Sequence, residues 1–214
     1  MNQDSIILTE VSKSFKGQIV LSNVNFKVES GSIVFLRGSN GSGKSMLLKM
    51  ISGLMNPSRG IVEVCHQAVG NGVMAISTGI MIDRPAFAPN LSALQNLLLV
   101  SDSKDKSAAI NILDQIGLSP TDRKPVRKYS MGMKQKVGLA MAMVDNPKVL
   151  LLDEPFSNLD DESSARISDM LVNVNTIHNT TILLTGHTRE DIQYLEKASK
   201  VLCYKIHQGS IISE

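Results

Sequence analysis

The chain has 214 residues, with 22 Lys and Arg against 20 Asp and Glu, a net charge of +2. Such a balance implies no strong steering toward nucleic acid or an acidic membrane surface. Hydrophobic residues at 43% and charged residues at 20% are those of an ordinary soluble globular protein, and the length suits one domain over residues 1–214.

Residues 5 to 30 read as β-strands, SIILTEV and then QIVLSNVNFKVE, punctuated by Gly17 and Ser30-Gly31. A short apolar strand, Ile33-Val34-Phe35-Leu36, follows. Next comes Gly38-Ser39-Asn40-Gly41-Ser42-Gly43-Lys44-Ser45, which fits G-x-x-x-x-G-K-[ST] at every fixed position. Its glycines let successive backbone N–H groups turn inward toward phosphate oxygens. Lys44 suits the β- and γ-phosphates of a nucleotide, and the Ser45 hydroxyl suits Mg²⁺. A helix-compatible run, Ser45 to Ser52, ends at Gly53 and adds its N-terminal dipole to the phosphate site.

Asn56 to Gly60 is a turn and Ile61 to Cys65 a strand, while residues 66 to 90 read as irregular. Residues 92 to 117 read as helical. Met131 to Val144 is a helix, Lys148 to Leu152 a buried strand, Asp161 to His178 a helix and Thr181 to Thr185 a strand. A helix from about Arg189 to Lys197 precedes closing strands at Val201 to Tyr204 and Ser210 to Ile212. Alternating strands and helices imply an α/β fold, a phosphate-loop NTPase core with a mostly parallel sheet and its ligand at the strands' carboxyl ends. The N-terminal strands form a separate antiparallel β part, and residues 88 to 146 an inserted helical subdomain.

Val149 to Leu152 runs into Asp153-Glu154, so one strand end delivers two carboxylates to the ligand edge. Asp153 suits Mg²⁺ opposite Ser45, and Glu154 suits a water aimed at the γ-phosphorus. Cys65 and Cys203 lie far apart without metal spacing and read as buried thiols of a reducing compartment. Met1-Asn2-Gln3-Asp4 lacks a signal-peptide pattern, and no apolar run nears the roughly 20 residues that span a bilayer.

Tyr129-Ser130-Met131-Gly132-Met133-Lys134-Gln135 resembles the L-S-G-G-Q signature of the ATP-binding cassettes of ABC transporters. Ser130 and Gly132 match, and Tyr129, Met131 and Met133 depart. A Ser before a helix is also a plain N-cap, so the order of further elements matters. Ser157-Asn158-Leu159-Asp160 looks like the family's D-loop, His187 like its switch histidine, and Phe15 like the aromatic that stacks on adenine. The resemblance runs from about Ile6 to Ile212. It implies an ATPase with catalytic Glu154, His187 and Lys44 that joins a second cassette, a copy or a related chain, head to tail. Ser130, Gly132 and Asp160 of the partner would then close each ATP site. It further implies an integral membrane subunit as partner, its short helix received between residues 80 to 100 and the main body, and a place on the inner face of the cell membrane. Nucleic acid is not expected.

The family's usual loop glutamine is missing from Ile80-Met81-Ile82-Asp83-Arg84-Pro85. Asp83 stands in register and could still reach Mg²⁺ as a hard oxygen ligand. Acidic variants of this loop resemble those of some small exporters of peptides or antibiotics. Together with a chain that ends just past its last strand, this favours export. A soluble ABC-type ATPase, such as one serving iron–sulfur assembly, is the alternative. The basic run from Arg123 to Lys136 is either a solvated face or an approach to the partner's triphosphate or the membrane subunit. Met131, Met133, Met141 and Met143 read as packing residues.

Overall fold

The computed structural model describes residues 3–15, 17–83 and 86–214. Met1, Asn2, Arg84 and Pro85, named above, lie outside them. Strands β1 (Asp4–Phe15), β2 (Gln18–Glu29), β4 (Arg59–Val64) and β5 (Gln67–Ala68) form an antiparallel sheet in the order β2-β1-β4-β5. A second sheet holds β3 (Ile33–Arg37), β6 (Thr78–Met81), β7 (Val149–Leu152), β8 (Thr181–Gly186), β9 (Leu202–His207) and β10 (Ser210–Ser213). Its order is β10-β9-β3-β8-β7-β6, parallel except for the β9–β10 hairpin. The helices are α1 (Lys44–Ile51), α2 (Ala93–Val100), α3 (Lys106–Gln115), α4 (Met131–Met143), α5 (Asp161–His178) and α6 (Gln193–Ala198).

The apolar runs of the central strands are covered on both faces, and their period of two sorts residues into two cores. Phe35, Leu150, Leu152, Ile182 and Leu184 pack with Leu97, Leu113 and Val137 of the helical layer. Val34, Leu36, Val149, Leu151 and Leu183 pack with Ile6, Leu8 and Val62 of the antiparallel sheet and with Leu47 and Leu48 of α1. Three strands feeding both cores hold the carboxyl edge of the sheet rigid, which is where the phosphate loop and Asp153-Glu154 emerge.

Four expectations need correction. The irregular stretch from 66 to 90 contains β6, which extends the sheet beside β7. A Cβ on its Gly79 would meet the Ala142 carbonyl of α4 at 1.8 Å, so close helix approach requires the glycine. Residues 92 to 117 are two helices: Ser92 caps α2 in a capping box with Gln95, and Asp105 starts α3 by accepting from the N–H groups of Ser107 and Ala108. The helix near 189 begins as a 3₁₀ turn, Arg189–Ile192, under a Thr188–Asp191 capping box. Cys65 is half-buried in the turn after β4, whereas Cys203 is buried within β9.

Candidate ATP site

The strand β3 ends at Arg37, and the chain turns through Gly38 to Gly43 into α1. Gly41 and Gly43 sit at φ +77° and +105°, where a side chain is strained, and Gly43 caps α1. A Cβ on Gly38 would meet the Ser42 hydroxyl oxygen at 2.4 Å. That hydroxyl is buried and without a partner among the described residues, so the loop holds an unspent polar group inside an anion-shaped turn. Lys44, 4% exposed, donates to the Gly38 carbonyl at 2.7 Å. The loop encloses a hollow of about 290 Å³ lined by Asn40 to Met46, Lys49, Met55, Val20 and Glu154.

The register of the sheet assembles the rest. Leu152 pairs with Leu184, so Asp153 stands opposite Thr185. Thr185 Oγ1 donates to Asp153 Oδ1 at 2.6 Å and accepts from the Glu154 N–H at 3.2 Å. The Glu154 backbone is left-handed at φ +49°. Its Oε1 lies 2.9 Å from His187 Nε2 and 3.8 Å from Lys44 Nζ. His187 directly follows β8, and its N–H donates to Asp191 Oδ2 at 2.7 Å. Lys44 and His187 thus meet at Glu154, and Asp153 adjoins through Thr185, while Ser45 lines the phosphate-loop hollow with Lys44 and Glu154.

Other expected residues stand elsewhere. Ser130 caps α4, accepting from the Met133 N–H at 3.2 Å, and neither it nor Gly132 lines the phosphate hollow. A Cβ on Gly132 would meet the Asn158 carbonyl at 2.7 Å, so this glycine is needed for packing inside the chain. Asp160 caps α5 through the Ser163 N–H at 2.8 Å, and that contact with the Ser163 side chain and backbone holds its carboxyl below the ordinary value. Phe15, 54% exposed, ends β1 outside the lining of the hollow. Asp83 is left-handed, at φ +57°, and pairs with Lys49 Nζ at 2.5 Å, joining the 80–83 segment to a residue that lines the hollow.

Tyr129 replaces the signature leucine without leaving its hydroxyl stranded. Burial first, then the hydrogen bond its hydroxyl donates to Asp122, pushes its pKa up to about 12. Met133, Met141 and Met143 pack on the helical core, but Met131 is exposed. Arg123, Lys124, Arg127 and Lys128 are exposed and Lys134 and Lys136 half-buried, which fits a solvated face and a partner-facing one alike. Among the described residues no cluster of three His, Cys, Asp or Glu could hold a metal. Asp153, half-committed to Thr185, and the Ser45 hydroxyl still offer the hard oxygens that Mg²⁺ takes alongside substrate phosphates.

Thr185, Asp191, Lys49 and Gln135 escaped the sequence reading. Thr188-x-x-Asp191 carries a capping pattern that could have shown Asp191. The others need the strand register or the helix docking.

Parallel sheet, phosphate loop and strand-end carboxylates define a phosphate-loop NTPase. Residues 21–157 match the ABC transporter family, and the chain belongs to it. Among curated relatives, the ABC transporter ATP-binding protein YybJ of Bacillus subtilis (strain 168) is 35% identical over 87% of each chain. The lantibiotic transport ATP-binding protein SrtF of Streptococcus pyogenes is 29% identical over 97% of this chain and 89% of its own. An aliphatic sulfonates import ATP-binding protein, SsuB 2 of Pseudomonas syringae pv. tomato, is 32% identical over 94% and 83%. The dimeric post-hydrolysis structure of the ATP-binding cassette MJ0796 bound to ADP and Pi superimposes with a TM-score of 0.84, at 22% identity over 97% of this chain and 98% of that one. The chain is a transporter ATPase that binds ATP and couples its hydrolysis to transport. Among the described residues no helix is long and apolar enough to cross a membrane.

Proposed function

We propose that this chain is one half of an ATP-gated pair. It binds ATP on its phosphate loop, meets a second cassette head to tail and drives a separate integral membrane subunit from the inner face of the cell membrane. The second cassette is a copy of this chain or a related one. The carrying observation is that one carboxylate oxygen of Glu154 lies within reach of both Lys44 and His187. Those two cationic or donor groups suit a γ-phosphate, and the carboxylate between them suits the water that attacks it.

Each residue then has a role. Gly38, Ser39, Asn40, Gly41, Ser42 and Gly43 wrap the phosphates with backbone N–H groups, and Lys44 supplies positive charge. Phe15 stacks on adenine. With the γ-phosphate bound, Lys44 and His187 turn to it, and Glu154 is released to orient water or accept its proton. Ser45 and Asp153 would hold Mg²⁺, joined by Asp83 once it leaves Lys49. A cation held by these residues would supply positive charge to offset that of the substrate phosphates. Ser130 and Gly132, at the start of the 13-residue α4 and outside their own chain's hollow, close the partner's site with Asp160. Residues 1–214 act as one ATP-binding domain whose helical part, 88 to 146, meets the membrane subunit.

Export follows from the acidic loop at Asp83; the relative named for lantibiotic transport supports a peptide cargo, and the one named for sulfonate import gives the competing direction. ATP-driven uptake of a lantibiotic into inside-out vesicles carrying this chain and its membrane subunit is expected; uptake only into right-side-out vesicles would reverse the direction. For the site, Glu154→Gln should keep ATP bound while hydrolysis falls by about a hundredfold or more. An unchanged rate would remove Glu154 from the chemistry.

A further inference from the structure

We propose that Gln135 is a positioning residue that carries the state of the partner's nucleotide site to Glu154 of its own chain. The inference rests on the head-to-tail reading above. Gln135 stands on α4, the helix that Ser130 caps. Its Nε2 donates to the Glu154 carbonyl at 2.9 Å and to the Pro155 carbonyl at 3.2 Å. Both acceptors belong to the short segment that decides where the Glu154 carboxylate points.

That segment needs holding. Glu154 is left-handed at φ +49°, a conformation a residue with a Cβ adopts only when its surroundings fix it. Thr185 accepts its N–H at 3.2 Å, and the Ser157 N–H donates to its carbonyl at 3.1 Å. Those two contacts come from the sheet edge and from the turn itself, whereas Gln135 reaches in from the helical segment. The first turn of α4 rests on the same stretch, because a Cβ on Gly132 would meet the Asn158 carbonyl at 2.7 Å. A helix moves as a unit. When the start of α4 docks on the partner's triphosphate, Gln135 moves with it, and the Glu154 peptide follows. One chain's signature therefore reports on the partner's site while its side chain on the next turn adjusts its own.

Two carbonyl acceptors require a donor, which Leu of similar size lacks and Lys keeps. The test compares wild type, Gln135→Leu and Gln135→Lys. It measures ATP affinity of the monomer, the saturated hydrolysis rate, the steepness of rate against ATP and the unfolding midpoint, with ATP-driven dimerisation measured on a Glu154→Gln background. Gln135→Leu should keep ATP affinity and dimer mass. Its kcat should fall about tenfold, the rate equivalent of one lost hydrogen bond, and the rise of rate with ATP should become less steep than in wild type. Gln135→Lys should recover most of both. A Gln135→Leu enzyme with wild-type kcat and steepness overturns the proposal. So does a joint loss of rate, affinity and unfolding midpoint without rescue by Lys, which would make Gln135 a packing bond. If the Glu154→Gln parent stays monomeric at saturating ATP, the head-to-tail reading falls and takes this inference with it; a dimeric parent with an indifferent Gln135→Leu overturns this inference alone.

Discussion

Thr185→Val probes the contact that binds the two strand-end carboxylates to the sheet. Thr185 is 1% exposed and Asp153 9%, so water does not replace what is lost. The substitution removes a 2.6 Å hydrogen bond to a carboxylate and strands the Glu154 N–H, which Thr185 accepts at 3.2 Å. The bond to the charged group contributes about 1.5–3 kcal/mol and the stranded N–H costs about 1 kcal/mol. Val matches Thr in shape and leaves no cavity, so the total is roughly 2–4 kcal/mol of stability, a fall of roughly 5–15 °C in midpoint for a chain of this size. Thermal unfolding without nucleotide reads the stability, and steady-state hydrolysis reads kcat, which should fall more than ATP affinity. Thr185→Ser keeps the hydroxyl and should restore both. A Thr185→Val protein that melts within about 2 °C of wild type and hydrolyses at the wild-type rate would refute the reasoning.

Gly79→Ala places a Cβ 1.8 Å from the Ala142 carbonyl and should cost roughly 3 kcal/mol by denaturant unfolding, against the usual gain from replacing glycine. Asp83→Ala should free Lys49 and weaken the Mg²⁺ dependence of ATP binding, read by titrating Mg²⁺ against a fluorescent nucleotide; an unchanged curve would remove Asp83 from the site. Partial burial pushes the Asp145 carboxyl up, but hydrogen bonds from the Ser101 side chain, the Asp102 N–H and the Ser103 side chain outweigh it and leave its pKa below 3.8. A depressed carboxylate contributes stability above its unfolded value and loses it as pH falls through the folded one. Asp145→Asn should therefore lower stability at pH 7 and narrow the gap to wild type below about pH 4, measured by urea unfolding across pH.

The phosphate loop and Asp153-Glu154 were legible because each is a local spacing with fixed chemistry. The two apolar central strands, β7 and β8, announced themselves as continuous buried runs. The signature was harder, since only Ser130 and Gly132 of its pattern remain, and the order of the elements around it carried the reading. The edge strand β6 was hidden by its four-residue length and its Gly79, whose reason is a helix carbonyl far along the chain. The break between α2 and α3 hid in a polar run whose Asp105 cap looks like any helical surface residue. Thr185 and Gln135 matter only through partners fixed by strand register and helix docking, which no local pattern encodes.

The most direct measurement is the solution mass of the Glu154→Gln protein by light scattering with saturating ATP and Mg²⁺. The account predicts twice the 23.2 kDa of one chain, and a return to a single chain that still binds ATP when Ser130→Arg is added. A Glu154→Gln protein that stays monomeric under saturating ATP, or a dimer that survives Ser130→Arg, would contradict it.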